Sequence, residues 1–504
     1  MPQFISSAAK QDAAQETAEE TLRPLCVDLD GTLVKSDTLV DSLLAMARQN
    51  PALLFNLPAR LLRGKAAFKA FVAEHVSLEV AHLPYNGALL EFLRHEQERG
   101  RAIYLVTGAD VRLARRVADH LGIFTDVLAS DGATNLTGSN KLLALNRRLD
   151  SAAFDYVGND IPDIPLLSAA SQPMVANPTL RLRMKLGAVK PRQALPGQAF
   201  PAPIFPDQAF IDGKPVFKSL LRSLRLHQWA KNLLIFVPLL CSHALSQSKL
   251  LTALAAFCCF SITASSAYIF NDLLDIEADR RHPQKRQRPF ACGDLSAFSG
   301  ILLALVLLAA GLAGAAMLPG RFFLWLLIYL GTTLAYSIYL KRIPLVDVLV
   351  LSGLYILRLL AGSAATQTPI SHWLAGFSMF LFLSLAIVKR FAELENLRVS
   401  NGVPRNGRGY LLADLDQLRS FGTSSAYAAV VVFAIYISNS DVVKLYHHPR
   451  FLWLTVPLII LWLNRVWLLA SRGELDEDPV AFALTDRMSQ VIGVAVLAVA
   501  LLAL

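Results

Sequence analysis

Three aspartates stand at a regular spacing where a long apolar segment of the chain ends. The segment 250–270 carries no charged residue, and Asp272, Asp275 and Asp279 follow it directly. Helix positions i, i+3 and i+7 share one face, so the spacing predicts three carboxylates on one side of a helix. Carboxylates beside a membrane segment are costly and usually functional. Oxygen ligands of this kind suit Mg²⁺, which often completes its coordination shell with substrate phosphates.

A run of cations follows the aspartates within Asn271–Pro289. The run comprises Arg280, Arg281, Lys285, Arg286 and Arg288. Because Lys and Arg bind phosphate oxygens strongly, acids and bases together predict a site for a diphosphate. The alternative is an ordinary polar loop, which would not require aligned acids.

Polar residues also follow three short apolar stretches in the N-terminal part of the chain. The first stretch, 22–33, ends in Asp28, Asp30 and a Gly-Thr turn, while 102–106 is followed by Thr107 and 154–157 by Gly158, Asn159 and Asp160. Helical patterns separate the stretches, most clearly between residues 38 and 98. Strands that alternate with helices predict an open α/β sheet with its site at the carboxyl edge.

The DxDGT sequence at Asp28–Thr32 resembles the haloacid dehalogenase superfamily of phosphohydrolases, over about residues 22–190. The resemblance implies a Rossmann-like domain with a small helical cap. It also implies that Asp28 is the nucleophile and that Asp30 is the general acid and base. Thr107 and Lys141 would hold the phosphoryl oxygens.

The same resemblance implies a Mg²⁺ site that includes Asp28 and Asp30. Members of the superfamily carry another Asp directly after the glycine of their fourth motif, whereas this chain has Asn159 there. Either Asp160 and Asp163 act as ligands, or metal binding is weakened. The alternative is a phosphatase fold that has lost its activity and serves in regulation or assembly.

The rest of the chain is too apolar for a soluble protein. Of the 504 residues 54% are hydrophobic, and the region 230–504 contains repeated apolar segments near the ~20 residues that cross a bilayer. We therefore predict an all-α membrane domain of about nine spans: 232–246, 250–270, 298–318, 321–339, 345–365, 372–388, 421–438, 450–471 and 488–504. The predicted organisation is a disordered segment 1–20, a phosphatase-like domain 21–190, a Pro-rich linker 191–213 and a membrane domain 214–504.

Charges in the predicted loops orient the membrane domain. With the N-terminal domain inside, the inner loops carry 15 Lys and Arg and the outer loops carry 4, which predicts an inner-membrane protein with cytosolic sites. The net charge of +9 fits phosphorylated substrates at an anionic membrane surface. No basic stripe carries interleaved aromatics, so nucleic acid is not an expected partner. The five cysteines lack metal or disulfide spacing, and the sequence leaves a homo-oligomer open.

The NDxxDxxxD motif at Asn271–Asp279, after an early span of a nine-helix pattern, resembles the UbiA superfamily of intramembrane prenyltransferases over residues 215–504. Most members carry a second DxxxD motif, but here Leu351 stands four residues after Asp347. The departure resembles the polyprenyl-phosphate phosphoribosyltransferase branch. The shared features are QWxKN at 228–232, HPxKxxRP at 282–289, YSxxLK at 336–341, Asp347, Leu357-Arg358 and KRxxEL at 389–394, with Leu226 as a mismatch where Pro is expected.

That branch implies phosphoribosyl diphosphate as donor and a polyprenyl phosphate lipid as acceptor, with Mg²⁺ on Asp272, Asp275 and Asp279. Residues expected to contact these substrates are Lys231, Asn271, Lys285, Arg288, Tyr336, Lys341, Arg358, Lys389, Arg390 and Glu393. Arg358 lies within a predicted span, where an unpaired cation is costly. Pairing with Asp347 is disfavoured because the two stand about three turns apart on one helix.

Simpler interpretations remain for some of these residues. Lys389 and Glu393 also fit an i, i+4 salt bridge, and Trp229 and Tyr336 also fit an aromatic belt at the membrane interface.

Together the two resemblances imply sequential chemistry. The membrane domain would make a 5-phosphorylated ribosyl lipid, and the N-terminal domain would remove the 5-phosphate. The product would be a polyprenyl-phosphoryl ribose, a precursor of pentose donors for glycans. The alternatives are an aromatic prenyltransferase with a regulatory phosphatase-like domain, which the missing second DxxxD disfavours, and a non-catalytic scaffold or transporter.

Overall fold

The computed structural model describes residues 23–188, 208–243, 245–399, 408–475 and 479–504. The chain forms two compact units. The first unit joins the chain up to Ser223 with Asp272–Leu302, and the second joins Leu224–Asn271 with Leu303–Leu504. The predicted disordered segment 1–20 and most of the predicted linker 191–213 lie outside the described residues.

A sheet of six parallel strands forms the centre of the first unit, in the order β3-β2-β1-β4-β5-β6. The strands are β1 (Leu25–Val27), β2 (Ile103–Asp110), β3 (Asp126–Ser130), β4 (Asp155–Gly158), β5 (Pro173–Ala176) and β6 (Gln208–Phe210). Val27 pairs with Leu105 on one side and with Val157 on the other, so the ends of β1, β2 and β4 are neighbours. Strand order reverses between β1 and β4, which is where open α/β sheets place their sites. The predicted α/β domain is therefore confirmed.

The described part of the chain up to residue 223 contains nine α-helices. They are α1 (Thr38–Gln49), α2 (Leu57–Leu62), α3 (Lys65–His75), α4 (Gly87–Glu98), α5 (Val111–Leu121), α6 (Ser139–Arg148), α7 (Ile164–Ala169), α8 (Leu180–Ala188) and α9 (Val216–Ser223). Leu25 and Val27 of β1 belong to one buried apolar cluster, and Cys26 belongs to another. Because successive strand residues point to opposite faces, the short apolar strand needs cover on both sides.

Helices α1, α2 and α3 lie between β1 and β2 in the chain and correspond to the predicted small cap. Asp37 begins α1: its Oδ1 accepts the N–H groups of Leu39 at 2.9 Å and Val40 at 3.1 Å, as an N-cap residue does. The buried positions of α1 are Thr38, Asp41, Ser42, Ala45 and Met46. Their spacing of three and four residues places one face of α1 against the domain.

The second unit is helical. Helices from residue 237 onward are α10 (Val237–Cys241), α11 (Gln247–Leu274), α12 (Ile276–Arg281), α13 (Ala297–Ala316), α14 (Gly320–Ile338), α15 (Val346–Thr366), α16 (His372–Val399), α17 (Leu415–Ser438), α18 (Ser440–Val443), α19 (Thr455–Ser471), α20 (Pro479–Thr485) and α21 (Arg487–Ala503). Of these, α12 belongs to the first unit, while α11 and α13 run from one unit into the other.

Seven helical segments in the described part of the chain are long and apolar enough to cross a membrane. They are Gln247–Leu274, Ala297–Ala316, Gly320–Ile338, Val346–Thr366, His372–Val399, Leu412–Ser438 and Pro449–Ser471. The predicted count of nine is not confirmed. In place of the span expected at 232–246 the structure has a 3₁₀ run, Leu226–Phe236, and the short α10, while α21 has 17 residues.

Candidate functional site

A lysine lies between two carboxylates at the carboxyl edge of the sheet. The Nζ atom of Lys141, on α6, lies 3.0 Å from Asp28 Oδ1 and 3.3 Å from Asp163 Oδ1. It also donates to the Tyr156 hydroxyl at 3.0 Å. Burial lowers the pKa of Lys141, but the carboxylates of Asp28 and Asp163 more than offset this, so the pKa is raised. The structure thus brings two predicted residues, Asp28 and Lys141, into direct contact.

The two aspartates of the DxDGT sequence have different surroundings. Asp28 Oδ1 accepts the Leu29 N–H at 2.8 Å, and Asp30 Oδ1 accepts the Thr38 N–H at 2.8 Å. Burial raises the pKa of Asp28 to about 6, although Lys141 opposes the change. Burial and the nearby charge of Asp37 raise the pKa of Asp30 to about 7. A carboxyl group that titrates near neutral pH suits an acid and base.

Thr107 stands within β2, beside the end of β1. Its side chain is fully buried, and its Oγ1 accepts the Ala109 N–H at 3.0 Å. Because the register places β2 next to β1, Thr107 lies at the same edge as Asp28. The predicted set of Asp28, Asp30, Thr107 and Lys141 therefore shares one end of the sheet.

The loop after β4 approaches the DxDGT turn closely. A Cβ atom on Gly31 would lie 2.0 Å from Asn159 Nδ2, and Gly31 has a φ of +74°. Only glycine leaves room for this amide. Asn159 is therefore held against the turn that carries Asp28 and Asp30, and its side-chain oxygen is of a type that Mg²⁺ accepts. The carboxylates of Asp28 and Asp30 and the side-chain oxygen of Asn159 are therefore a set of ligands that suits Mg²⁺.

Asp160 and Asp163 are already engaged by the protein. Asp163 Oδ1 accepts the Tyr156 hydroxyl at 2.7 Å, and its Oδ2 accepts the N–H groups of Asn159 at 3.0 Å and Asp160 at 3.2 Å. Asp160 Oδ1 accepts the Thr179 hydroxyl at 2.7 Å. The contacts of Asp163 fit a role in shaping the loop around Asn159.

Lys69 was not a candidate from the sequence, but it contacts the chain beside Thr107. It lies on the cap helix α3, and its Nζ donates to the Gly108 carbonyl at 2.6 Å and to Asn135 Oδ1 at 3.0 Å. Burial lowers its pKa, while the charges of Asp30, Asp37 and Asp28 oppose the change. A lysine in an amphipathic helix resembles any solvated lysine, so no sequence signal identifies it.

The acidic loop, residues 272–294, places two of its three aspartates around one cation. Arg288 Nη1 lies 3.0 Å from Asp272 Oδ1 and 2.7 Å from Asp279 Oδ2. Burial raises the pKa of Asp279 to about 6, and Arg288 opposes this. Because both carboxylates converge on a single nitrogen, their positions fit a shared cation.

Asp275 has a different neighbour. It interrupts the helix between α11 and α12, and its Oδ1 lies 3.2 Å from Arg48 Nη1. Asn271 stands in α11 directly before Asp272, and Lys285 begins a 3₁₀ turn, Lys285–Gln287. Among the described residues, no group of three His, Cys or acidic side chains is already arranged to hold a metal.

In the second unit, Arg358 is buried among neutral groups. Its guanidinium donates to Asn232 Oδ1 at 2.8 Å, the Leu354 carbonyl at 2.5 Å and the Tyr329 hydroxyl at 3.3 Å. The guanidinium carbon lies 5.0–5.5 Å from three aromatic ring centres, those of Phe260, Tyr329 and Tyr355. Within the described ranges, none of its partners is a carboxylate. Such a buried cation suits an anionic ligand.

Arg390 is also buried, but acids surround it. Its Nε donates to Asp347 Oδ2 at 2.5 Å and its Nη1 to Glu393 at 2.7 Å, and its Nη2 donates to the Tyr336 hydroxyl at 3.0 Å. Asp347 is therefore the partner of Arg390. Glu393 also accepts from Arg408 at 2.7 Å, so its ion pairs are with Arg390 and Arg408.

The remaining candidates are spread over several elements of the second unit. Lys231 Nζ lies 6.0 Å from the Tyr355 ring centre, so Lys231 and Arg358 face the same ring. Lys341 stands in the 3₁₀ turn Leu340–Arg342, and Lys389 precedes Arg390 in α16. The Trp229 indole donates to the Ser265 hydroxyl at 2.9 Å.

Comparison with known proteins finds a family match for the membrane domain and another for the N-terminal domain. The model of the UbiA prenyltransferase family matches residues 233–489, just over half of the chain. The chain belongs to the UbiA family. The model of haloacid dehalogenase-like hydrolases matches residues 25–168, so this UbiA-family chain also carries an N-terminal domain of that type.

Relatives of this UbiA-family chain share one or both domains. An uncharacterized protein, y4nM, from Sinorhizobium fredii is 36% identical over 474 residues, covering 93% of this chain and 89% of the relative. The decaprenyl-phosphate phosphoribosyltransferase of Mycobacterium tuberculosis is 32% identical over 287 residues, covering 55% of this chain and 91% of the relative. A solved structure of a UbiA homolog from Archaeoglobus fulgidus, bound to GPP and Mg²⁺, has 19% identity and a TM-score of 0.43, covering 56% of this chain and 96% of that one.

These findings fix the class of the molecule. The UbiA family and the seven apolar helices make it a multi-pass membrane protein. A transferase domain and a hydrolase domain in one chain make it an enzyme.

Proposed function

We propose that the membrane domain transfers 5-phosphoribose from phosphoribosyl diphosphate to a polyprenyl phosphate, and that the phosphatase-like domain then removes the 5-phosphate. The observation that carries the transferase part is Arg358, a buried guanidinium whose partners are neutral. Among the described residues no carboxylate contacts Arg358, and a phosphate-bearing lipid supplies an anion for it. The relative named decaprenyl-phosphate phosphoribosyltransferase supports the same chemistry.

The acidic loop binds the diphosphate of the donor. Asp272 and Asp279, with Asp275, would hold Mg²⁺, and the bound ion supplies charge neutralisation for the departing diphosphate. Arg288 exchanges its carboxylate partners for phosphate oxygens when the donor arrives, because a guanidinium binds either anion. Lys285 stands three residues before Arg288 and adds a second cation.

The lipid phosphate binds Arg358 and Lys231. One of its oxygens attacks C1 of ribose while the bond from C1 to the diphosphate breaks. The acceptor is already ionised, so the step needs no general base; position and charge stabilisation suffice. Arg390 neutralises Asp347 and Glu393. These three residues therefore stabilise the fold beside the site and do not bind substrate directly.

The phosphatase step uses groups at the sheet edge. Asp28 attacks the 5-phosphate and forms an aspartyl phosphate, while Asp30 gives a proton to the departing 5-hydroxyl oxygen. Lys141 and Thr107 hold the phosphoryl oxygens. Asp30 then takes a proton from the water that releases inorganic phosphate. Asp28 and Asp30, with Asn159, would hold Mg²⁺, which supplies additional charge neutralisation at the phosphoryl group.

We further infer that both sites face the cytosol at the inner membrane. The excess of Lys and Arg in alternate loops supports this orientation, and a charged, water-soluble donor is consistent with it.

The test supplies purified full-length protein with Mg²⁺, polyprenyl phosphate and phosphoribosyl diphosphate, and reads lipid masses. Wild type is expected to give the ribosyl lipid, Asp28→Asn the 5-phosphorylated lipid, and Asp272→Ala no ribosyl lipid. Asp119→Asn, an exposed position on α5, serves as the matched control.

Two results would contradict the proposal. The first is that wild type makes no ribosyl lipid and prenylates an aromatic acceptor instead. The membrane domain would then be an aromatic prenyltransferase. Wild-type protein that accumulates only the 5-phosphorylated lipid would remove the second step.

A further inference from the structure

The acidic loop contacts helix α1 of the phosphatase-like domain through two ion pairs of opposite polarity. In one pair, Arg280 of the loop lies 2.8 Å from Asp41 of the helix. In the other, Arg48 of the helix lies 3.2 Å from Asp275 of the loop. Asp41 and Arg48 stand seven residues apart and therefore share one face of α1. Each surface thus supplies one cation and one anion to the other.

The Arg280 pair is deeply buried. The side chains of Arg280 and Asp41 are 4% and 1% exposed. Arg280 also donates to the Ser36 hydroxyl at 3.1 Å and to the Ala291 carbonyl at 3.1 Å. A charge buried to this extent is costly unless its partner stays in place. The Arg280–Asp41 contact is therefore a constant part of the folded structure.

Further contacts flank the two pairs. Arg48 donates to the Leu274 carbonyl at 3.4 Å, Gln49 donates to Glu277 at 3.4 Å, and Arg281 pairs with Glu79. At the far end of the loop, a Cβ atom on Gly293 would lie 2.7 Å from Lys35 Cβ, and Gly293 has a φ of +78°. The absence of a side chain there permits the close approach. The loop therefore contacts the domain along its length.

Helix α1 also contacts the phosphatase-like site. Its first residue, Thr38, donates its N–H to Asp30 Oδ1 at 2.8 Å. The helix is 12 residues long, or about 18 Å at 1.5 Å per residue, and it is packed along one face. One rigid element thus holds Asp30 at its beginning and Asp275 at its end.

We propose that α1 is a positioning element of the transferase, which couples the acidic loop to the phosphatase-like site. The proposal rests on the proposed function for the donor that binds the loop. Arg48 fixes the Asp275 carboxylate, and the Arg280–Asp41 pair fixes the backbone that carries Asp279. Because coupling between two binding sites is reciprocal, a ligand at either site that strengthens this contact also strengthens binding at the other site.

The experiment measures hydrogen exchange by mass spectrometry in full-length protein in lipid nanodiscs. Peptides over 276–294 report on the loop and peptides over 36–49 report on α1. Arg48→Gln is expected to speed exchange of the loop amides about 5-fold, the change in local opening that corresponds to the loss of about 1 kcal/mol from a partly exposed ion pair. Arg48→Lys keeps the charge and is expected to restore part of the protection. Arg148→Gln, which breaks the exposed pair with Asp126 in the same domain, is the matched control.

A second arm adds Mg²⁺ with phosphoribosyl diphosphate. In wild type the addition is expected to slow exchange of α1, and Arg48→Gln and Asp41→Asn are expected to lose the effect while Arg148→Gln keeps it. Unchanged loop exchange in both Arg48→Gln and Asp41→Asn overturns the inference, whatever the enzyme catalyses. Protection of the loop without protection of α1 also overturns it. Faster loop exchange in the variants, with no ribosyl lipid from wild type, supports the contact and removes only the proposed function.

Discussion

Two acid clusters in the first unit are each closed by one cation, but the two cations are held differently. Lys141 lies between Asp28 and Asp163 with a side chain 4% exposed, and Tyr156 binds it as well. Arg288 lies between Asp272 and Asp279 with a side chain 26% exposed, and it follows a single 3₁₀ turn.

The difference separates a fixed cation from an exchangeable one. Lys141 extends from a regular helix and is buried between two carboxylates, so we expect it to stay beside Asp28 when a substrate binds. Arg288 reaches its carboxylates from a loop with one side toward solvent, so a metal ion and a diphosphate can replace its partners. We propose that the first cluster serves a transferring phosphoryl group and that the second serves a ligand that brings its own cation.

Replacement of Lys141 should have the largest effect. Lys141→Ala removes the cation between two buried carboxylates, and we expect release of the 5-phosphate to fall by about 10²–10³-fold, as with loss of a group that stabilises developing charge. The measurement is inorganic phosphate released from the 5-phosphorylated lipid. Lys185→Ala, at an exposed lysine of α8, is the control.

The loss of a buried partner should also lower stability by about 3–5 kcal/mol. The thermal unfolding of the phosphatase-like domain is therefore measured on the same sample, to show that the domain is folded during the assay. Full phosphate release from a folded Lys141→Ala protein would contradict the role of Lys141.

The second unit extends the same distinction to two buried arginines. Arg390 is held by Asp347 and Glu393, so Arg390→Met should cost about 3–5 kcal/mol of stability because the buried Asp347 loses its arginine, while Glu393 keeps Arg408. Arg358 has neutral partners, so Arg358→Met should unfold the protein less and raise the KM for polyprenyl phosphate more. Thermal unfolding in nanodiscs and lipid titrations measure the two effects. Equal loss of stability in both variants, with no change in the KM for polyprenyl phosphate, would contradict a structural role for Arg390 that differs from a lipid-binding role for Arg358.

The sequence predicted the elements of the fold better than the partners within the sites. The strands that precede Asp28 and Asn159, and the strand that carries Thr107, follow from short apolar runs, because a strand buried on both faces needs apolar residues throughout. The long apolar segments likewise predicted seven helices that the structure contains. The structure of segment 232–246 differs from the predicted spanning helix. Composition alone does not distinguish such a helix from a 3₁₀ run followed by a short α-helix.

Side-chain partners depend on distant parts of the chain. Asp347 contacts Arg390 and Tyr410, which stand 43 and 63 residues away in sequence. Arg48 reaches Asp275 from 227 residues away, and Lys69 reaches the Gly108 carbonyl from a cap helix. No local pattern encodes such pairs. The spacing of Asp272 and Asp279 did predict that they lie together, but it could not show that Asp275 faces another helix.

Replacement of Arg288 tests the exchangeable cation. If Arg288 binds the diphosphate of the donor, Arg288→Ala loses charge-assisted hydrogen bonds of about 1.5–3 kcal/mol, which corresponds to a rise of roughly 10- to 150-fold in the KM for phosphoribosyl diphosphate. Arg286→Ala, two residues away and exposed, is the matched control. A variant whose KM is unchanged while its stability falls would make Arg288 a structural cation like Arg390.

The smallest expected effect concerns the metal at the phosphatase-like site. Asn159 is held against the turn of Asp28 and Asp30 by the space that Gly31 leaves. Asn159→Asp adds a charged oxygen at that point, and because ligand charge sets the affinity of such sites, we expect the Mg²⁺ concentration for half-maximal phosphate release to fall by up to about an order of magnitude.

The matched control for this prediction is Asp160→Asn. Asp160 is bound to Thr179, so its replacement should change the stability of the loop more than the Mg²⁺ dependence. If Asp160→Asn instead raises the Mg²⁺ requirement and Asn159→Asp leaves it unchanged, Asp160 is the metal ligand. The amide at position 159 would then serve only to pack against Gly31.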